Sequence, residues 1–203
     1  ILFFLGCTIP LMAQHTDHIQ EAMANYDYET ALSLIAQKKP TPHLLLQKGK
    51  ALRGLGLTTE ALSTYEEIIS NDTTNARAFI EAAECCRALA KYNQALNYYE
   101  HALDLNPENK YVRIQYISLL LTQQKFRDAL GESSLMMEKD SSAIVLHLQA
   151  QSFEGMGELL PAAGCYYNIQ EKYPDDYLAA TKLGALNISG SYFDEAIEAT
   201  EKY

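Results

Sequence analysis

Small and large apolar residues occur at fixed distances from one another along this chain, and polar stretches separate the groups. The clearest marker is an alanine that returns at a near-constant step of about 34 residues. The alanines are Ala31, Ala61, Ala95, Ala129, Ala162 and Ala196. A small residue at a fixed point implies that two helices come too close there for anything larger. The spacing predicts a solenoid of helix–turn–helix repeats.

Other columns agree with this register when each alanine is numbered position twenty of its repeat. The repeats then begin at Pro42, Ala76, Lys110, Ala143 and Tyr177. Position eight is small in all but one repeat and is occupied by Gly49, Ala83, Ile117, Ala150 and Gly184. Small residues at positions eight and twenty allow the two helices of one repeat to pack closely.

Two further columns carry mostly bulky residues, which we expect to fill the space between neighbouring repeats. Position seventeen is occupied by Tyr28, Thr58, Tyr92, Phe126, Leu159 and Phe193. Position twenty-four is occupied by Ile35, Tyr65, Tyr99, Ser133, Tyr166 and Thr200. Position thirty-two is proline in two repeats, Pro107 and Pro174, and proline cannot extend a helix because it lacks an N–H. Agreement of several columns argues against chance spacing in an ordinary helical bundle.

Strand signals are weak in this sequence. Runs of Val and Thr are few, no Asn-Gly turn occurs, and no stretch alternates as a half-buried strand does. We therefore expect helices throughout, of about a dozen residues each. The first pair is predicted near Asp17–Asn25 and Tyr28–Lys38, and each later pair follows a repeat start.

The segment from Asn75 to Asn109 resembles a tetratricopeptide repeat almost throughout. Its matching residues are Phe79, Ala82, Ala83, Tyr92, Ala95, Tyr99, Ala102 and Pro107. The resemblance covers residues 42–203, with a shorter, degenerate helix pair over residues 15–41. It implies an all-α, right-handed superhelical solenoid of antiparallel helix pairs. The third repeat departs most from the family pattern, at Arg113, Ile117, Ser133 and Ser141.

The resemblance also implies a partner-binding groove lined by positions two, five, nine and twelve of each first helix. Carried over to this sequence, the groove residues are His43, Lys50, Arg53, Arg77, Ile80, Glu84, Arg87, Tyr111, Ile114, Ile144, His147 and Gln151. We expect the arginines to bind carboxylates of an acidic peptide or helix segment, with apolar contacts from Tyr111 and Ile144. The alternative is that these charges are ordinary solvated helix positions.

The carboxylate clamp of chaperone-binding family members is not reproduced here. Its lysine and asparagine in one repeat become Leu46 and Lys50, and its asparagine in the next becomes Glu81. Its basic pair in the third becomes Tyr111 and Gln115. Cochaperone function of that kind is therefore not expected.

Composition and motifs argue against catalysis and nucleic-acid binding. A net charge of −10 repels a phosphate backbone. No glycine-rich phosphate loop, GxSxG or HExxH occurs, so we expect no enzyme activity, cofactor or metal. His15 and His18 around Asp17 could bind a transition metal, although flexible termini often carry histidines without function. Cys85, Cys86 and Cys165 lack zinc-site spacing, and at least one of the adjacent pair Cys85 and Cys86 is expected to act as a buried small hydrophobe.

The two ends of the sequence suggest export and truncation. Ile1–Gln14 carries no charge and is almost wholly apolar until Ala13, as expected of the end of a secretory signal peptide cleaved near Ala13 or Gln14. The alternatives are a lipid anchor at Cys7, which the apolar residues after it disfavour, and a cap helix on the first repeat. Because Tyr203 falls inside a predicted second helix, we expect the native protein to continue.

These observations leave two functions open. The first is a non-enzymatic scaffold of a bacterial cell envelope, in the periplasm or at the outer membrane, which binds peptide or helix segments of other proteins. In this case the membrane would be reached only through a lipid anchor or missing segments. The second is the sensor or regulatory region of a larger signalling or membrane-anchored protein, whose effector part lies beyond residue 203.

Overall fold

The computed structural model describes the backbone of residues 11–189 and the side chains of residues 18–186. Within these residues it contains eleven α-helices and no strand, so the all-α prediction is confirmed. The helices are α1 (Leu11–Ala24), α2 (Tyr28–Ala36), α3 (Pro42–Gly54), α4 (Thr58–Asn71), α5 (Ala76–Ala88), α6 (Tyr92–Leu105), α7 (Lys110–Thr122), α8 (Phe126–Met137), α9 (Ala143–Met156), α10 (Leu159–Lys172) and α11 (Tyr177–Ser189).

The helices fall into two compact units. The N-terminal unit, Ile1–Leu105, contains α1 to α6, and the C-terminal unit, Asn106–Tyr203, contains α7 to α11. Within each unit, consecutive helices pack against one another as successive hairpins. The longest departure from the expected bounds is at the start, where α1 begins at Leu11 rather than near Asp17. The remaining residues of the expected signal segment, including Cys7, lie outside the described part of the chain.

The helix starts coincide with two columns of the repeat. All five first helices, α3, α5, α7, α9 and α11, begin at the residue that the sequence register numbers one. The second helices within the described residues, α2, α4, α6, α8 and α10, all begin at position seventeen. Side-chain caps explain several of these starts: Thr41, Asn75 and Asn109 each accept a hydrogen bond from the backbone N–H three residues later. Such caps satisfy N–H groups that the first helical turn leaves unpaired.

The turn between the two helices of each hairpin contains one residue with left-handed backbone at position fifteen. These residues are Tyr26, Gly56, Ala90, Gln124 and Gly157, with φ between 57° and 78°. Glycine adopts this conformation without strain, whereas other residues pay for the contact between Cβ and the backbone. Gly56 and Gly157 were therefore a signal in the sequence for this turn.

The repeat alanines lie where the packing is tightest. Every described alanine at position twenty is fully buried, and Ala196 lies outside the described residues. The structure also explains why position eight carries small residues. A Cβ added to Gly49 would lie 2.4 Å from Cζ of Tyr65, which is at position twenty-four of the same repeat. Residues at position twenty-four therefore pack within their own repeat as well as between repeats.

Position seventeen fills the space between neighbouring repeats, as expected. The ring of Tyr28 covers Gly54 in the next repeat, and a Cβ at Gly54 would lie 2.2 Å from it. In the C-terminal unit the ring of Phe126 covers Gly155, again at 2.2 Å. Both glycines occupy position thirteen, so the same contact recurs in the two units.

Candidate peptide-binding faces

The candidate groove residues of the N-terminal unit lie on α3 and α5. His43, Arg77 and Arg87 are exposed, Lys50 and Ile80 are half-buried, and the side chain of Arg53 keeps 37% of its surface in solvent. These two helices therefore carry four cations among the candidate residues. Their charges are partly compensated by two carboxylates on α5, Glu81 and Glu84.

Glu81 pairs with two of these cations and was not among the predicted groove residues. Its carboxylate accepts a hydrogen bond from Nη1 of Arg53 at 2.6 Å and lies 4.0 Å from Nε of Arg77. Glu81 is at position six, outside the four positions that the family resemblance assigns to the groove. The i, i+4 spacing to Arg77 was the available signal. Arg53 therefore already has a carboxylate partner within the fold.

Glu84 is buried and hydrogen-bonded within its own repeat. Its side chain is only 8% exposed, and Oε1 accepts a hydrogen bond from the Tyr99 hydroxyl at 2.7 Å. Its other oxygen, Oε2, accepts from Nη2 of Arg87 at 2.7 Å. A buried carboxylate must be paired in this way to offset its desolvation. The carboxylate of Glu84 is thus engaged inside its own repeat, and its place among the groove residues stays a prediction.

The cysteines near this face are buried, as predicted. Desolvation by burial raises the pKa of both Cys85 and Cys86 to about 11. Their thiols are thus protonated at neutral pH, and a thiol is a weak nucleophile and metal ligand compared with the thiolate.

The C-terminal unit presents apolar side chains at position two of three successive first helices. Tyr111 on α7, Ile144 on α9 and Leu178 on α11 are 55%, 48% and 52% exposed. The helices α7 and α9 pack directly, and Leu146 and Ala150 of α9 share a core cluster with residues of α11. These three side chains share one repeat position on successive first helices, and we call them the apolar row. Ile114 is half-buried and Gln151 exposed beside it.

His147 contacts two residues within the fold. Nε2 lies 2.9 Å from Oδ2 of Asp176, and the ring lies 5.8 Å from that of Tyr166. Asp176 also accepts a hydrogen bond from the N–H of Ala179, capping α11. Partial burial acts to raise the pKa of Asp176, but the hydrogen bonds from Ala179 and His147 outweigh it and the pKa lies below its usual value.

One ion pair recurs between adjacent first helices in both units. Position twelve of one repeat contacts position six of the next in Arg53 and Glu81, 2.6 Å apart. Glu154 and Lys182 occupy the same two positions in the C-terminal unit, 3.0 Å apart, with the charges exchanged. The pair therefore reports a common register between neighbouring first helices.

Neither a metal-binding cluster nor a membrane-spanning helix occurs among the described residues. In the described side chains, no group of three or more His, Cys, Asp or Glu residues is arranged to hold a metal ion. His18, one of the two N-terminal histidines, is exposed and lies 3.6 Å from Glu21. None of the helices in the described residues has the length and apolar character needed to cross a bilayer.

Sequence comparisons find a family match over part of the chain. Residues 87–151 match the family described as tetratricopeptide repeat. A curated mouse protein, DnaJ homolog subfamily C member 7, is 29% identical over 89 residues, which are 43% of this chain and 18% of that protein. The chain thus spans less than a fifth of the length of this relative.

Solved structures share the fold. A tetratricopeptide repeat protein from Parabacteroides merdae matches 94% of this chain and 77% of its own, with 20% identity and a TM-score of 0.77. MamA from Desulfovibrio magneticus matches 79% of this chain and 92% of its own, with 17% identity and a TM-score of 0.70. YrrB, described as having an unusual peptide-binding site, matches 84% of this chain and 88% of its own, with 18% identity and a TM-score of 0.68. The described helices thus have the fold of tetratricopeptide repeat proteins.

Proposed function

We propose that this chain, whose described helices have the fold of tetratricopeptide repeat proteins, has a non-enzymatic protein-interaction function. The faces of its first helices bind peptide or helix segments of partner proteins. Solenoid repeats of this kind offer extended surfaces rather than closed catalytic pockets. The peptide-binding site of YrrB, a protein of the same fold, supports this assignment.

The observation that carries the proposal is the apolar row formed by Tyr111, Ile144 and Leu178. Each side chain is about half exposed although the rest of its helix packs into a core. Leaving apolar area in water costs about 25 cal/mol per Å², and a partner that covers the row recovers that free energy. Since the row crosses three helices at one repeat position, it suits a segment lying across them.

We propose that this function is exercised outside the cytoplasm, in the periplasm or at the outer membrane of a bacterium. Support comes from Ile1–Gln14, which carries no charge and has the apolar character of the end of a signal peptide. The mass of the mature N-terminus from the native gene tests this. A terminus near Ala13 or Gln14 supports export, a lipidated Cys7 supports an anchored form, and an unprocessed terminus contradicts the proposal.

The binding function is tested by selecting peptides from a random display library on the whole protein and measuring their affinities by fluorescence anisotropy. We expect Tyr111→Ser, Ile144→Ser and Leu178→Ser together to weaken binding by about tenfold or more, since apolar anchors dominate such contacts. The matched control replaces Leu160 and Tyr167, which are exposed on the second helix α10. Failure to select any peptide, or an equal loss in the control, contradicts the proposal.

A further inference from the structure

A pocket of about 230 Å³ lies in the C-terminal unit, between the start of α7 and the end of α8. Its lining residues include Pro107, Arg113, Leu135 and Met136. Leu135 is 54% exposed, so apolar surface at this pocket faces water. No predicted groove residue and no residue of the apolar row lines the pocket. It is therefore a separate feature of the unit.

The second repeat shows which contact an aromatic ring makes at the equivalent place. Phe79 is at position four of that repeat and is buried. The centre of its ring lies 6.1 Å from that of Tyr98, at position twenty-three, and 5.4 Å from that of His101, at position twenty-six. A ring at position four thus packs against these two positions of the second helix in the same repeat.

In the third repeat the same three positions carry Arg113, Glu132 and Leu135. Nη1 of Arg113 donates to Oε2 of Glu132, and Nη2 donates to the carbonyl oxygen of Pro107 at 2.9 Å. The N–H groups of a guanidinium lie in its plane, so these hydrogen bonds hold its edges and leave its flat faces for other contacts. The third repeat therefore has a cation where the second has a ring, and a pocket opens beside that cation.

The other charged residues of the pocket are largely paired with one another. Nζ of Lys110 lies 3.1 Å from Oδ2 of Asp140, and Nζ of Lys139 lies 2.7 Å from Oε1 of Glu108. Both lysines and Glu108 are mostly exposed, whereas Met136 is buried. The pocket thus has compensated charges at its mouth and an apolar inner side. Polar rims around apolar centres are typical of sites that hold an anchoring side chain.

We propose that this pocket binds one aromatic side chain of a partner protein. An apolar cavity of about 150 Å³ holds benzene, and pockets for whole drug-sized ligands begin at about 300 Å³, so the volume suits a single ring. The ring lies on the face of the Arg113 guanidinium and against Leu135 and Met136. Arginine stacks on aromatic rings, and thioethers make favourable contacts with them. The site goes beyond the proposed function, because it uses neither the predicted groove nor the apolar row.

The probe is a short peptide, blocked at both ends, with one Trp between Ser and Gly residues. A matched peptide carries Ala in place of Trp. Since this chain contains no Trp, tryptophan emission reports the peptide alone. We expect the emission to shift to shorter wavelength on binding, and the Trp peptide to bind about tenfold or more tightly than the Ala peptide competes with it. Equal affinity for the two peptides overturns the site.

Free tryptophan distinguishes a partner's side chain from a small-molecule ligand. Its ammonium and carboxylate groups gain little here, because the charges at the mouth of the pocket already have partners. We therefore expect free tryptophan to bind no more tightly than the blocked peptide. Clearly tighter binding of the free amino acid would overturn the partner protein as the source of the ring.

The variant R113F together with E132Y tests the location of the site. It recreates the pair formed by Phe79 and Tyr98 in the second repeat, so that a ring of the chain itself fills the pocket. The preference for the Trp peptide should then fall by about tenfold, to the level of the Ala peptide. The Cε methyl signal of Met136, assigned with M136L, gives a second readout in nuclear magnetic resonance spectra. It should shift when the Trp peptide is added to wild-type protein and stay unchanged in the double variant.

A second variant, L135E, changes a half-exposed residue and so disturbs the fold little. Its carboxylate faces the bound ring and should also remove the preference. The control, R127F, makes the same change from Arg to Phe at an exposed residue of α8 that does not line this pocket, and should keep the preference. Circular dichroism melting shows which proteins are folded. Retention of the preference in either folded pocket variant, or an equal loss in the control, overturns the site.

Discussion

The ring of Tyr65 occupies the space in front of Gly49, so that a Cβ at Gly49 would lie 2.4 Å from Cζ of the tyrosine. The equivalent pairs in two other repeats are Ala83 with Tyr99 and Ala150 with Tyr166, all buried. In the third repeat the sizes are exchanged: Ile117 and Ser133 occupy these positions and both are fully buried. At two of its four departures from the family pattern, the third repeat thus keeps one large and one small buried residue with their positions exchanged.

Gly49→Ala should destabilise the N-terminal unit because the methyl group meets an enclosed ring. We expect the free energy of unfolding to fall by about 1–3 kcal/mol, the usual range for overpacking. Gly131→Ala on α8 is the matched control, since a Cβ there meets nothing within 4 Å in the described residues. It should raise stability by about 0.5–1 kcal/mol through helix propensity. Urea unfolding followed by circular dichroism measures both, and equal effects would contradict the packing argument.

Ile117→Ala and Ser133→Tyr should each destabilise the C-terminal unit but compensate one another when combined. The first change leaves a cavity, at a cost of about 2–4 kcal/mol, and the second forces a ring against Ile117. Together they recreate the Ala83 and Tyr99 arrangement. A double-mutant cycle in urea measures the coupling, and strict additivity of the two changes would show that the positions do not face each other.

Ala90→Gly and Gln124→Gly should stabilise the protein. Both residues have φ of 57° in the turn between paired helices, where a Cβ is strained. We expect a gain of about 0.5–1 kcal/mol for each, less the added entropy of the unfolded chain. The reverse change, Gly56→Ala at φ 78°, should destabilise. Thermal melting tests all three, and a loss of stability in both glycine variants would contradict the prediction.

Asp176→Ala should weaken the attachment of α11 by removing its cap and the partner of His147. The expected cost at neutral pH is about 1–2 kcal/mol. Because the pKa of Asp176 in the folded protein lies below its ordinary value of about 3.8, its contribution is complete above that value and is lost as pH falls through the lower, folded pKa. Stability curves of both proteins should therefore converge at strongly acidic pH. A gap that stays constant down to that pH would show that ionisation of Asp176 plays no part.

The sequence predicted the helices well because residues at several positions of the repeat recur with the same spacing and so agree on where each helix begins. Both helices of a repeat begin where the columns place them, and the alanine column is buried throughout the described residues. The candidate faces were less predictable because contacts between neighbouring repeats depend on side-chain reach. Glu81 was overlooked, and Glu84 and His147 turned out to be used within the fold. The family resemblance predicts which helix faces bind a partner, whereas the structure shows which charged side chains on those faces already have a partner within the fold.

The exchange of charge between the pair Arg53 with Glu81 and the pair Glu154 with Lys182 makes the repeats of this chain unequal as building blocks. The repeat that carries Arg53 can form this ion pair only with a following repeat that has an acidic residue at position six. Joined instead to the repeat that carries Lys182, it would set two cations against each other. The order in which these repeats can be stacked, by recombination or by a protein engineer, is therefore constrained by the charges of two residues at each of these two junctions.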